Sequence, residues 1–189
     1  MAKPVHLFAN WKMSLDYDES NILANALAEK AEKLPPEINI AVFPSALAFY
    51  PVAQALHDAG IKVGAQNAYW VDKGGYTGEV SMQMLKAAGC DFVLVGHSER
   101  RHIFHETNHD VRQKIEAALT AGLMPVVCVG ETQEERRAGK TEEVVEVQLR
   151  AAFDGLTLER DVRFIIAYEP VWAIGTGKNA TPAEAEEMH

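Results

Sequence analysis

The sequence predicts an α/β fold in which a parallel β-sheet is covered by helices. Short runs rich in apolar and β-branched residues recur along the chain, and the segments between them carry apolar residues at helical spacing. Of the 189 residues, 48% are hydrophobic and 24% are charged, which is typical of a globular protein with one sizeable core. We therefore expect a single domain over residues 1–189.

The predicted strands are short apolar runs bounded by polar or turn-forming residues. In chain order they are residues 5–9, 38–43, 61–65, 92–95, 125–129 and 164–168. Runs of this length and composition are typical of strands that are buried on both faces.

The intervening segments show the three- or four-residue spacing of an amphipathic helix. Inward-facing positions are predicted at Ile22, Leu23, Ala26, Leu27 and Leu34 in the first such segment, Val111, Ile115, Ala118 and Leu119 in the fourth, and Val144, Val145, Gln148 and Leu149 in the fifth. Strands that alternate with helices indicate a parallel sheet, either as an open doubly wound sheet or as a (β/α) barrel. Periodicity does not distinguish these two architectures.

Charge and cysteine content restrict the partners and the compartment. A net charge of -9 argues against nucleic acid, whose phosphates need clustered Lys and Arg side chains. The apolar run of residues 5–9 is too short for a signal peptide or a membrane helix. Cys90 and Cys128 lie in or beside apolar runs, so we expect buried reduced thiols and a cytoplasmic protein without a membrane partner.

Polar side chains suited to catalysis follow three of the predicted strands. Asn10 and Lys12 follow the first, His97 follows the fourth, and Glu169 ends the sixth. In both candidate architectures, functional residues collect beyond the carboxyl ends of the strands. A base, an imidazole, a cation and an amide donor are therefore expected on one face.

Six motifs in one order resemble the triosephosphate isomerase family. They are FANWKMS (8–14), GAQNAYW (64–70), YTGEVS (76–81), VGHSERR (95–101), CVGET (128–132) and AYEPVWAIGTGK (167–178). The resemblance extends from Lys3 to His189. It selects the TIM (β/α)8-type barrel, here incomplete, with about six β/α units.

The resemblance also implies a reaction and a set of site residues. It implies interconversion of glyceraldehyde 3-phosphate and dihydroxyacetone phosphate through an enediolate, as a step of glycolysis and gluconeogenesis. Glu169 resembles the catalytic base, His97 the group that polarises the carbonyl, Lys12 the cation that holds the phosphorylated substrate, and Asn10 a further donor. This proton transfer needs no redox cofactor and no metal.

Two loops have expected roles in the same family. Pro170, Val171 and Trp172, followed by Gly175-Thr176-Gly177, predict a lid with stiff hinges, in which Gly175 contacts the substrate phosphate. The loop from Asn67 to Glu79 resembles the segment that enters a neighbouring subunit, so Tyr76 and Thr77 are expected dimer contacts. A surface loop is the alternative for this segment.

Other motifs and polar residues receive weaker interpretations. His105-Glu106-Thr107-Asn108-His109 matches the H-E-x-x-H zinc signature, but it spans a helix start that Thr107 or Asn108 would cap. Residues 175–180 match G-x-G-x-x-A but lie well past the strand. Glu99 is expected to pair with Lys12 or to cap its turn, Cys128 to pack in the core, and Glu131 to serve a loop or helix start.

The end of the sequence predicts an incomplete barrel. Thr181-Pro182-Ala183-Glu184 is a capping box, so the sixth helix is just beginning where the sequence ends at His189. We expect the strands at residues 5–10 and 164–168 to be exposed edges that promote self-association and impair catalysis. The alternative function is a catalytically silent, self-associating remnant with weak anion binding.

Overall fold

Strands and helices alternate along the chain as the sequence predicts. The computed structural model describes residues 5–31, 35, 37–158, 162–175, 177 and 179–188. The elements in chain order are β1 (Val5–Asn10), α1 (Tyr17–Ala31), β2 (Ile38–Phe43), α2 (Phe49–Leu56), β3 (Lys62–Ala65), α3 (Met82–Ala87), β4 (Phe92–Val95), α4 (Ser98–Ile103), α5 (Asn108–Thr120), β5 (Met124–Val129), α6 (Gln133–Arg137), α7 (Thr141–Phe153), β6 (Ile165–Tyr168), a 3₁₀ helix (Val171–Ala173) and α8 (Pro182–Met188). All six predicted strands are confirmed, with ends that shift by a residue at most.

The described residues form two compact units. The first comprises residues 1–94 and 117–124, and the second comprises residues 95–116 and 125–189. In the first unit, β1 pairs in parallel with β2, β2 with β3 and β3 with β4. Phe8, Phe43 and Phe92 bring their rings together with centroids 5.0–6.4 Å apart, and these rings form part of the core of this unit.

The inner face of α1 differs from the prediction. Ile22 is 70% exposed and Leu23 36% exposed, whereas Ser20 and Ala24 are buried. The Ser20 hydroxyl is satisfied by donating to the Asp16 carbonyl at 2.6 Å, so a small polar side chain can take an inward position where α1 packs on α2. Leu34, also assigned to this face, lies outside the described residues.

In the second unit, β5 and β6 pair in parallel from Val126↔Ile165 to Val129↔Tyr168. Val111 and Ile115 of α5 are fully buried, as the helical spacing predicts. The strands differ in burial, because β4 and β5 are almost fully buried while Val5 and Leu7 of β1 and Ile166 of β6 are each about half exposed. The expectation of burial on both faces therefore fails for β1 and β6, the two strands that were also expected to be exposed edges.

Helix starts follow the predicted capping chemistry. The Thr107 hydroxyl accepts from the Asp110 amide at 3.2 Å, next to the start of α5, and Thr181 and Glu184 form the predicted reciprocal box at α8. Both cysteines are buried and free, as expected. In the described part of the chain, every helix is too short or too polar to cross a bilayer.

Candidate active site

Glu169 is fixed by the backbone at the end of the β5–β6 pair. Its amide donates to the Val129 carbonyl at 2.7 Å. Gly130 lies so close that a Cβ atom there would stand 1.8 Å from the Glu169 carbonyl oxygen. Only glycine at position 130 permits this approach, so the glycine of the CVGET motif sets the position of the carboxylate that follows β6.

The two oxygens of the Glu169 carboxylate have different surroundings. Oε2 accepts from the Ser98 hydroxyl at 2.7 Å and from the Ser98 amide at 3.3 Å. Oε1 is buried and has no conventional hydrogen-bond partner among the described residues. Buried carboxylate oxygens normally accept a hydrogen bond. Oε1 is therefore an atom to which a ligand or a proton could bind.

His97 lies beside this carboxylate and begins α4. Its Nδ1 atom accepts from the Glu99 amide at 3.2 Å, which places the proton of a neutral ring on Nε2. Nε2 lies 3.6 Å from Glu169 Oε2, and both side chains are largely buried. This distance exceeds a hydrogen bond, so the imidazole N–H remains available as a donor.

Cys128 and Arg101 complete the surroundings of Glu169. The pKa of the Cys128 thiol is raised by burial and then by the charge of Glu169 and a weak thiol hydrogen bond to it. The pKa of Arg101 is lowered by burial, against the opposing charges of Glu106, Cys128 and Glu169. Cys128 therefore does more than pack in the core, and Arg101 supplies a nearby positive charge.

Glu131 has a different role from the one expected. Thr132 and Glu135, not Glu131, form the capping box of α6. Glu131 is fully buried and accepts from the Tyr168 hydroxyl at 2.9 Å, the Trp172 indole at 2.9 Å and the Arg136 guanidinium at 3.3 Å. Glu131 does lie in the loop just before α6, as expected, but Tyr168 and Trp172, which are distant in the sequence, enclose this carboxylate together with Arg136 of α6.

The segment after Glu169 shows the local features expected of a hinge. Pro170 precedes the short 3₁₀ helix, in which Trp172 is buried and bonded to Glu131. Gly175 is exposed and has a φ of 68°, a conformation that favours glycine. Thr176 and Lys178 lie outside the described residues.

Asn10 and Lys12 come together in the first unit. The Asn10 side-chain oxygen accepts from the Lys12 amide at 2.9 Å, which leaves the Asn10 Nδ2 group as the donating end. Gln66 donates to the Lys12 carbonyl at 2.8 Å and to the Phe43 carbonyl at 2.8 Å. These bonds hold Lys12 at a φ of 53°, which is unusual for a residue other than glycine.

Sequence reasoning placed His97 and Glu169 correctly as strand-end residues but missed three of their neighbours. Ser98 and Arg101 lie within VGHSERR, and Glu131 lies within CVGET. A signal for Glu131 was present, because Thr132 and Glu135 already supply a complete cap and leave the preceding carboxylate with no local task.

Parallel strands alternating with helices, with a carboxylate and an imidazole at strand ends, define an enzyme of the (β/α) barrel class. The triosephosphate isomerase family model matches residues 5–189. The chain therefore belongs to the triosephosphate isomerase family, which confirms both the predicted TIM-barrel fold class and an isomerase.

Several relatives in this family are similar over almost the whole chain. The triosephosphate isomerase of Protochlamydia amoebophila is 45% identical over 187 residues, which cover 99% of this chain and 70% of the relative. That of Dehalococcoides mccartyi is 46% identical and covers 97% of this chain and 70% of the relative. That of Aquifex aeolicus is 44% identical, with 96% and 72% covered.

Proposed function

We propose that the chain interconverts glyceraldehyde 3-phosphate and dihydroxyacetone phosphate by moving a proton between adjacent carbons through an enediolate. The observation that carries this proposal is the Glu169 carboxylate, which has a buried oxygen with no conventional partner in the described part of the chain and an imidazole 3.6 Å from its other oxygen. The names of the relatives support the same substrate class.

Glu169 acts as the base in this proposal. A carboxylate can take the carbon-bound proton beside the carbonyl and return it to the neighbouring carbon. The Ser98 hydroxyl and amide hold Oε2 and leave Oε1 to meet the substrate. Because Glu169 is largely buried, water competes little for the proton.

His97, Asn10 and Lys12 stabilise the charge that develops on oxygen. The bond from the Glu99 amide to Nδ1 directs the His97 proton to Nε2, so a neutral imidazole can donate to the carbonyl oxygen. The Asn10 amide supplies a second donor, and Lys12 supplies a positive charge for the phosphate and the enediolate. Each of these groups follows a strand or begins a helix.

The segment from Pro170 to Gly175 acts as a lid over the substrate. Trp172 anchors its beginning to Glu131, and the exposed backbone at Gly175 provides an N–H for the phosphate. Closure would exclude water from the enediolate, which protects it from side reactions.

Turnover by the pure chain and by a Glu169→Gln variant tests this function. We expect the substitution to reduce turnover by roughly 10² to 10⁴, because the amide keeps the shape but cannot accept the proton. Unchanged turnover would assign the activity to a contaminant. An inactive unmodified chain would instead favour the silent remnant.

Titration with a phosphorylated substrate analogue tests the anion site. Lys12→Met keeps the length of the side chain but removes its charge, so the dissociation constant should rise about 10- to 100-fold, as expected for loss of a hydrogen bond to a charged group. Lys30→Met, in the exposed last turn of α1, is a matched control. Equal affinity for the Lys12 variant and the unmodified chain would mean that the phosphate binds elsewhere.

We also propose that the chain forms homodimers or larger assemblies in the cytoplasm. The loop of residues 67–79 is internally ordered, because Tyr69 stacks on Trp70 and contacts Tyr76, and Tyr76 remains 43% exposed. This loop, with Thr77 at its tip, and the half-exposed Val5 and Leu7 offer contact surfaces. Buried free thiols suit a reducing compartment.

Sedimentation of a Thr77→Arg variant tests the loop contact. If the loop forms the contact, the variant should shift toward monomer.

A further inference from the structure

The proposed mechanism leaves one buried carboxylate unused. Glu106, the acidic residue of the motif that matches a zinc signature, has a side chain only 3% exposed. Its Oε2 atom accepts from Lys114, which is also buried, and from the Arg100 guanidinium at 2.7 Å. The pKa of Glu106 is shifted upward by burial, but Lys114 and Arg100 outweigh that effect and lower it overall.

The other oxygen of Glu106 is directed at the turn that carries His97. Oε1 accepts from the Gly96 amide at 3.3 Å, a bond that is buried. Burying a charge is costly, and an ion pair between Glu106 and Lys114 alone could be replaced by apolar residues without loss of stability. The bond to Gly96 is a contact that an apolar replacement could not provide.

Arg101 holds the same glycine from the other side. Its Nε atom donates to the Gly96 carbonyl at 2.7 Å, while Nη1 donates to Asn108 at 2.6 Å and Nη2 to the Cys128 carbonyl at 3.4 Å. The planar guanidinium thus ties the turn to the start of α5 and to β5. The amide and the carbonyl of the residue before His97 are thus both bonded to charged side chains, the buried Glu106 and the partly buried Arg101.

Gly96 itself needs this support. It has a φ of 72°, and a Cβ there would lie 2.7 Å from Arg101 Nη2 and 2.9 Å from a Val111 methyl group. Only glycine fits, and glycine is the residue with the most conformational freedom to lose. External bonds to both of its backbone groups therefore fix the direction in which the chain enters His97.

We propose that Glu106 and Arg101 are positioning residues for His97, acting through the backbone of Gly96. This inference rests on the proposed role of His97 in the isomerase reaction. A displacement of a catalytic group by about 1 Å can cost about 10²-fold in rate, so a clamp on the preceding residue has catalytic value without touching substrate.

Two double variants separate this role from simple stabilisation. Glu106→Gln with Lys114→Met removes the ion pair but keeps an oxygen that can accept from the Gly96 amide. Glu106→Leu with Lys114→Met removes the ion pair and the acceptor. Both proteins lose the ion pairs of Glu106 with Lys114 and Arg100 and carry the same charge, and they differ in the side-chain oxygen at position 106 that can accept from the Gly96 amide.

We expect the Gln double variant to stay within about threefold of the unmodified kcat. The Leu double variant should lose about tenfold in kcat with little change in KM. The Gly96 amide loses its hydrogen bond in this variant, so the ring of His97 is held less firmly in the position from which it donates in the transition state. In NMR spectra, the Gly96 amide and the His97 ring protons should shift, and the Gly96 amide should exchange faster with solvent, only in the Leu double variant. Equal kcat values and equal His97 signals in the two variants would overturn the proposal.

The NMR measurement keeps this inference separate from the proposed function. If the unmodified chain shows no turnover, the isomerase proposal fails, and the His97 signals alone then decide whether Glu106 positions the ring. Should the Leu double variant not fold, Arg101→Lys provides the second test, since it keeps the charge but cannot reach all three acceptors. A lower kcat with an unchanged KM, or displaced His97 signals, would support the clamp. If neither change is observed, the proposal is refuted.

Discussion

Two carboxylates that follow the paired strands β5 and β6 have opposite surroundings. Glu131 is fully buried, and three side-chain donors, from Tyr168, Trp172 and Arg136, satisfy its oxygens. Oε2 of Glu169 accepts from Ser98, while the buried Oε1 has no conventional partner among the residues that the structure describes. Among the described residues, conventional donors therefore reach both oxygens of Glu131 but only one oxygen of Glu169.

This difference separates a structural carboxylate from a chemical one. A carboxylate whose two oxygens both accept hydrogen bonds holds its donors in place and is less open to a further proton. A carboxylate with an unpaired buried oxygen lowers the stability of the ligand-free protein, but it can accept a proton from a bound molecule. Glu131 accordingly anchors Trp172 at the start of the proposed lid, and Glu169 is the carboxylate that we propose as the base.

The largest expected effect on stability comes from replacing each carboxylate by the same apolar residue. Glu131→Leu should lower the free energy of unfolding by about 3–5 kcal/mol, because it leaves an indole N–H, a hydroxyl and a guanidinium without their acceptor. Glu169→Leu should lower it by less, about 1–2 kcal/mol, since Ser98 loses its acceptor and the Cys128 thiol loses a weak one. Urea unfolding of the two variants measures both values.

The matched pair also contains its own control. Both substitutions remove one charge and introduce the same side chain beside the same strand pair. Equal losses of stability would show that the hydrogen-bond difference between Glu131 and Glu169 has no energetic consequence, and the comparison would fail.

A smaller effect is expected from Tyr168, whose hydroxyl lies 2.9 Å from Oε2 and 3.1 Å from Oε1 of Glu131 and donates its single proton to this carboxylate. Burial, followed by the hydrogen bond and the charge of Glu131, raises the pKa of Tyr168 above its usual 10.0. The stabilisation from a raised pKa is fully present below pH 10.0 and is lost as pH rises through the folded-state value.

Comparison with Tyr168→Phe isolates this contribution from those of other groups. The variant should be less stable by about 1 kcal/mol at neutral pH, and the gap should narrow as the pH rises above about 10. Unfolding free energies at several alkaline pH values test this. A gap that widens with pH would mean that the charge on Tyr168 is stabilised, contrary to the structure.

The sequence predicted the parts of the molecule that depend on local pattern. Six apolar runs gave the six strands, and Thr181 with Glu184 gave the cap of α8. His97 and Glu169 could be assigned to one kind of site because both follow strands. Their motifs then identified the family.

The remaining features depend on contacts between residues far apart in sequence. Glu131 meets Tyr168 and Trp172, about 40 positions later. Ile22 and Leu23 follow the helical spacing, yet the buried face of α1 is formed by Ser20 and Ala24. In each case a tertiary contact, and not the residue's own propensity, decides its surroundings.

Proton exchange with solvent tests the central claim that the incomplete carboxylate is the base. When the unmodified chain acts on its substrate in D2O, we predict deuterium at the carbon beside the product carbonyl. Glu131→Gln, which keeps an acceptor for Trp172 and Arg136, should still incorporate it. Glu169→Gln should not, because an amide cannot exchange the proton. Incorporation at an unchanged rate in Glu169→Gln would contradict the account.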